Sequence, residues 1–298
     1  EAEDGAVAAA REAATLGALP RFGGGALVPK RAYELEELRL NRLDPAAFLS
    51  PVDDTLERLQ GRLTAGLGLA SLASVFAFGV PPDKVVTTGA TAVFAAGVDA
   101  VGYGGAAWGL VLDSAARALD GGYGRRVAVH EAGHFLVAYL VGILPRGYTL
   151  SSLDAFRQYG ALRVQAGCLF CDGDFQRAVR SGKLSSSELD SFACVALAGV
   201  AAEVMCFGRA EGGAADVAQL DGILRALGFD QTKATKQVRW TVLAVTLLLR
   251  EFRDVHAALA DVMDRGASVS ECVALIEDKT DALLPDYVGK GADARHVL

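Results

Sequence analysis

Nowhere in this chain do lysine and arginine cluster among aromatic residues. With a formal net charge of −7, it offers no electrostatic footprint for a phosphate backbone, and nucleic acid is excluded as a partner. No Gly-x-x-x-x-Gly-Lys-Ser/Thr occurs, so no loop is in place to cradle the phosphates of a nucleotide. Cysteine is sparse and odd in number, five in 298 residues, which does not fit a secreted disulfide framework. The start of the chain carries no signal-peptide pattern, and beginning at Glu1 rather than methionine fits the removal of an upstream targeting segment. Histidine is scarce as well: there are four, and half of them fall in one pentapeptide.

That pentapeptide is His130-Glu131-Ala132-Gly133-His134. Residues four apart lie one above the other on a helix face, so both imidazoles can reach one zinc ion. The glutamate beside the first can then take a proton from a metal-bound water. The bland alternative is a buried helix with two hydrogen-bonded histidines. Against it, a core helix rarely turns His-Glu-x-x-His inward without a metal to neutralise it. Catalytic zinc takes three protein ligands and keeps one position open. Two carboxylates downstream qualify as the third. Asp216 opens a helix after a Gly-Gly turn, and Glu203 lies mid-helix in Ala201-Ala202-Glu203-Val204. Spacing does not choose between them. Cys168-Leu169-Phe170-Cys171 is a CxxC, but no second pair completes a four-thiolate site, and no βαβ context supports thiol redox chemistry. All five cysteines are expected to be small buried apolar residues. His256 and His296 have no partner pattern and read as structural or solvated.

Charge is missing from two long stretches, Leu63 to Val80 and, but for Asp99, Val85 to Leu112. Hydrophobic residues make up 52% of the chain and the mean hydropathy is +0.29, both high for a soluble enzyme. Each stretch nearly or fully reaches the ~20 residues that cross a bilayer. Arg58 and Arg62 precede the first, and Arg117, Arg125 and Arg126 follow the second. The turn between them, at Pro81-Pro82-Asp83-Lys84, holds one cation. That asymmetry fits a membrane hairpin with both ends on the positive-inside face. Gly105-x-x-x-Gly109 is a candidate helix contact, and Asp99 would have to face a partner helix or be protonated.

Helical periodicity and punctuation complete the organisation. An Ala-rich helix ends near Gly17 and Pro20, and residues 31–43 read as helical. Gly142 and Pro145 stop the zinc-pattern helix. Ala161–Ala166 alternates like a strand, beside which a peptide could add itself to a sheet. Capping boxes at Ser185–Glu188 and Ser268–Glu271 open later helices. Trp240 and Leu247–Leu249 recur at core spacing. The expected fold is mostly α, a helical zinc-peptidase domain with a small β element, preceded by a transmembrane helical hairpin. Its divisions are a solvated helical extension over 1–50, the apolar hairpin over 51–120, the peptidase domain over 121–285 and a loose tail over 286–298.

His130–His134, then Leu197-Ala-Gly-Val-Ala-Ala-Glu203, then Phe207-Gly208 and Gly212-Gly-Ala-Ala-Asp216 together resemble the peptidase domain of FtsH-type membrane zinc metalloproteases, over roughly residues 125–265. The resemblance implies Zn2+ on His130, His134 and Asp216, with Glu131 as the base. Ala218-Gln219 stands where the family has Ala-Thr, and the family's ATPase module has no counterpart here. Leu140–Leu153 and Gln237–Trp240 are similar to the ATPase-less FtsH-like proteins of plant and algal chloroplasts, a pattern to which Cys168 and Cys171 do not belong. That implies a nuclear-encoded plastid protein in a thylakoid or inner envelope membrane. Its expected partners are membrane lipid and a protein substrate or membrane protein complex, with no nucleic acid or nucleotide. Two functions follow as expectations: an ATP-independent zinc metallopeptidase, or a peptidase-fold scaffold that assembles a membrane complex.

Overall fold

A computed structural model of the chain describes residues 2–44, 48, 51, 54–160, 166–171, 173–181 and 183–281. Those residues are mostly helical, with one two-stranded sheet. They divide into two compact units, one of residues 1–52, 125–148 and 168–298, the other of residues 53–124 and 149–167.

In the first unit the organising element is α6 (Tyr123–Leu140). Every residue from Ala128 to Leu140 is buried. A helix buried on every side is a core element, and this one carries His130, Glu131 and His134 into the core. Around it are α1 (Ala2–Thr15), α2 (Leu35–Leu40), α8 (Gly173–Ser181), α9 (Ser186–Phe207), α10 (Ala214–Ala226), α11 (Gln231–Glu251), α12 (Arg253–Asp264) and α13 (Val269–Asp281). The capping box read at Ser185 and Glu188 starts α9: Ser185 Oγ accepts from the Glu188 amide at 3.2 Å, and Glu188 answers the Ser185 amide at 2.8 Å. The helical stretch through Trp240 and Leu247–Leu249 ends at Glu251, and α12 follows after Phe252. The strands β1 (Pro145–Thr149) and β2 (Gly167–Phe170) pair with each other. Most of the strand expected at 161–166 lies outside the described residues, and β2 begins just after it.

The described part of the extension expected over 1–50 is not solvated throughout. Phe22, Tyr33, Leu38 and Leu43 are buried, and the loop after α1 caps the helix that bears the histidines. The last carbonyls of a helix have no partner within it. Gly23 N–H donates to Tyr139 O at 3.0 Å and Gly25 N–H to Leu140 O at 2.9 Å. A Cβ on Gly25 would sit 2.9 Å from Leu140 Cβ, so the approach requires glycine. Tyr139 Oη, at the same end, donates to Glu277 on α13 at 2.6 Å, and Glu277 also accepts from the Arg21 amide at 3.2 Å.

The second unit holds α3 (Asp54–Phe76), α4 (Pro82–Val98), a π-helical turn at Asp99–Tyr103, α5 (Ala106–Leu119) and α7 (Ser152–Tyr159). The expected uncharged stretch from Val85 to Leu112 is two helices, not one. Gly104 and Gly105 take φ of +66° and +79°, a left-handed pair that glycine adopts without steric cost and that ends the helix. Gly105 is therefore a helix boundary, and a Cβ on Gly109 would meet nothing within 4 Å; the expected Gly105–Gly109 contact face is absent among the described residues. Asp99 needs no partner from outside: its carboxylate accepts from the amides of Ala107 at 3.0 Å and Trp108 at 2.9 Å, capping α5. Pro82–Tyr103 and Ser186–Phe207 are each long and apolar enough to cross a membrane by length and composition. The second is α9, two-thirds buried as a core helix; the first is only 6% buried.

Candidate metal centre

Three side chains from two helices meet at one point. His130 and His134 project from α6 one turn apart, and Asp216 comes from the first turn of α10. His130 Nε2 lies 3.0 Å from His134 Nε2 and 3.3 Å from Asp216 Oδ2, and His134 Nε2 lies 3.5 Å from Asp216 Oδ2. Ligands at about 2.0–2.1 Å on the corners of a tetrahedron stand about 3.3 Å apart. The three observed edges bracket that value.

The other ring nitrogens decide what those three atoms carry. His134 Nδ1 is 2.7 Å from the carbonyl oxygen of Val195. A carbonyl only accepts, so Nδ1 bears the hydrogen and Nε2 the lone pair. His130 Nδ1 is 2.7 Å from Glu203 Oε1 and donates to that carboxylate in the same way. Two lone pairs and a carboxylate oxygen then face one another in a buried place, an arrangement that only a positive charge stabilises. Left to protons alone, His130 would supply it. Burial disfavours charge on the ring, but Asp216, Glu203 and the charge of Glu131 outweigh it and raise the pKa to about 10. Burial likewise opposes the charge on Asp216, yet the two histidines hold its carboxyl well below the usual range. A divalent ion answers the same demand, and the donor set of two imidazoles and a carboxylate fits zinc.

Glu203 is not one of the three. Its carboxylate is 1% exposed and faces the far side of the His130 ring. It accepts from His130 Nδ1, Arg126 Nη1 at 3.0 Å, the Glu211 amide at 2.9 Å and the Gly212 amide at 3.1 Å. Burial pushes its pKa up, but the hydrogen bond from His130, with those from Glu211 and Arg126, brings the net shift downward. A carboxylate behind an imidazole fixes the tautomer and aim of the ring. Of the two carboxylates that spacing left open, Asp216 therefore faces the histidines' lone pairs and Glu203 orients His130.

Glu131 is 6% exposed, and its Oε2 is buried with no hydrogen-bond partner in the described protein. Such an atom costs about 1–3 kcal/mol unless something not in the chain answers it. It directly follows His130 on α6, and its charge is felt at the His130 ring.

Close helix packing permits all this. A Cβ on Gly199 of α9 would lie 2.3 Å from His130 Nε2, and one on Gly133 would lie 2.8 Å from Ala198 O. The glycines in His-Glu-Ala-Gly-His and Leu-Ala-Gly-Val are thus where α6 and α9 touch. The site residues that spacing did not reveal are Arg126 and Gly199, since neither stands in a ligand pattern.

Cys168 donates its thiol to the Glu131 carbonyl at 3.3 Å, and burial pushes its pKa well up, which suits an inert thiol rather than a redox nucleophile. Cys194 and Cys272 are buried as expected. Cys168 and Cys171 are half-buried and Cys206 is exposed. His256 is buried, with Nε2 donating to Val129 O at 3.0 Å. His296 lies outside the described residues. No family model, characterised protein or solved structure matches the chain.

Proposed function

We propose that the chain is a zinc metallopeptidase of the FtsH type that works without an ATPase. The observation that carries the reading is the convergence of His130 Nε2, His134 Nε2 and Asp216 Oδ2 within 3.5 Å of one another; next to His130 in the chain, Glu131 keeps a buried carboxylate oxygen without a partner among the described residues. Zinc, when bound there, would supply Lewis acidity and a water with a pKa near 7. Glu131 would serve as the general base at that site, accepting a proton and passing it on to the leaving amine. Glu203 and Val195 O hold the two imidazoles by their Nδ1 hydrogens, so their Nε2 atoms stay aimed. With no motor, the enzyme takes loose segments of its protein substrates or relies on a partner to unfold them.

Membrane lipid around the helical hairpin belongs to the same proposal. From Val85 to Val98, α4 carries no charge and is exposed almost throughout. A protein partner would cover one face, whereas hydrocarbon covers all of them. The plastid setting rests on the motif resemblance.

Glu131→Gln tests the mechanism. The variant should bind zinc as the parent does and lose cleavage of an unfolded protein such as casein. Undiminished proteolysis would remove Glu131 as base. A parent protein that binds zinc yet cleaves nothing would favour the scaffold reading instead.

A further inference from the structure

Arg126 lies in the first turn of α6, four residues before His130 and on the same face. Its guanidinium reaches into residues 203–211, the end of α9 and the loop toward α10. Nη1 donates to Glu203 Oε2 at 3.0 Å and to Arg209 O at 3.1 Å, and Nη2 stands 3.5 Å from Glu211 Oε1. The guanidinium carbon lies 4.4 Å from the centroid of the Phe207 ring. Glu203 and Glu211 are 1% and 5% exposed, so two buried carboxylates share this cation, with Arg209 Nη2 also on Glu211 at 2.7 Å. Glu203 in turn accepts from the amides of Glu211 and Gly212. Gly213, with φ +94°, then opens α10, and Asp216 follows in its first turn.

We infer that Arg126 is a positioning residue for the metal centre: it fastens the loop that delivers Asp216 to the helix that bears His130 and His134. This rests on those three residues being the metal ligands. Lysine could not substitute fully, because a single ammonium cannot serve two carboxylates and a carbonyl while stacking on a ring.

The test measures Zn2+ affinity of the full chain in detergent against a competing chelator, and the visible spectrum of the Co2+-loaded protein. Arg126→Met should weaken zinc binding about tenfold to a hundredfold and change the cobalt spectrum, with Arg126→Lys recovering part of the loss. In an Asp216→Ala background, adding Arg126→Met should cost less than about threefold, because the ligand it positions is gone. Unchanged affinity and spectrum in Arg126→Met would overturn the inference, as would an equal loss with and without Asp216. Should Arg126→Met fail to fold by circular dichroism, Arg126→Lys decides, and parent-like binding and spectrum there overturn it. A parent chain that binds no zinc sinks the metal reading itself, a result distinct from these.

Discussion

At the scale of single residues, the site depends as much on what is missing from Gly199 as on what its ligands carry. The His130 ring lies against the Gly199 backbone, where an added Cβ would stand 2.3–2.5 Å from three of its atoms. That ring is pinned from behind by Glu203 and cannot yield without losing its aim. Gly199→Ala should therefore lower zinc affinity at least a hundredfold, about 2.7 kcal/mol, although alanine is the better helix former by about 1 kcal/mol. Chelator competition would measure it, and parent-like zinc binding would show that the ring does not lie where the structure has it. Much of the site was legible beforehand, because a four-residue spacing on a helix is itself a geometric statement. Spacing did not choose between Glu203 and Asp216, since the choice turns on which side of an imidazole each carboxylate occupies; only the motif resemblance pointed to Asp216. Arg126 was invisible for a related reason: its partners, two carboxylates, one carbonyl and a ring, lie some eighty residues away.

Among the elements, α6 is held at both ends by groups from distant parts of the chain. At its far end, the amides of Gly23 and Gly25 and the carboxylate of Glu277 secure Tyr139 and Leu140. Nearer the histidines, the His256 ring on α12 donates to Val129 O. Burial, with a smaller contribution from Arg125, lowers the pKa of His256 below its usual 6.5. The folded state thus prefers the neutral ring, whereas the unfolded chain takes up a proton near 6.5. Stability from this group is complete above about pH 6.5 and is lost as pH falls from there to the lowered folded value, below which it is level. With a chelator present to exclude metal loss, the melting temperature of the parent should fall more steeply between pH 7.5 and 5 than that of His256→Gln. Parallel curves would deny His256 this part. The elements best read from sequence were those with explicit end signals, such as the serine caps of α9 and α13 and the glycine that ends α6. The N-terminal stretch was misread because its buried residues, Phe22, Tyr33, Leu38 and Leu43, are widely spaced among charges. The Gly104-Gly105 break was missed because an uncharged run conceals a change of backbone handedness.

For the whole molecule, the two units differ in how much apolar surface they leave open. The first buries long apolar runs on α6, α9 and α11, as a globular core does. In the second, Leu67, Leu69, Phe76, Phe94 and Val101 are all exposed, Val101 to 90%. Patches of that extent are uncommon on soluble monomers. The 22-residue helix Pro82–Tyr103 measures about 33 Å, against a hydrocarbon thickness of about 30 Å. Its one interior charge, Asp99, is already satisfied by the amides of α5, which lowers the cost of taking it out of water. The full chain should float with phospholipid vesicles in a density gradient and resist extraction by alkaline carbonate. Phe94→Lys places a charge near the middle of that helix at a cost of about 2.5–3.5 kcal/mol, and should shift the chain toward the carbonate-soluble fraction while leaving zinc binding unchanged. Vesicles that float free of the parent chain would mean that the exposed apolar helices are covered by protein, not lipid.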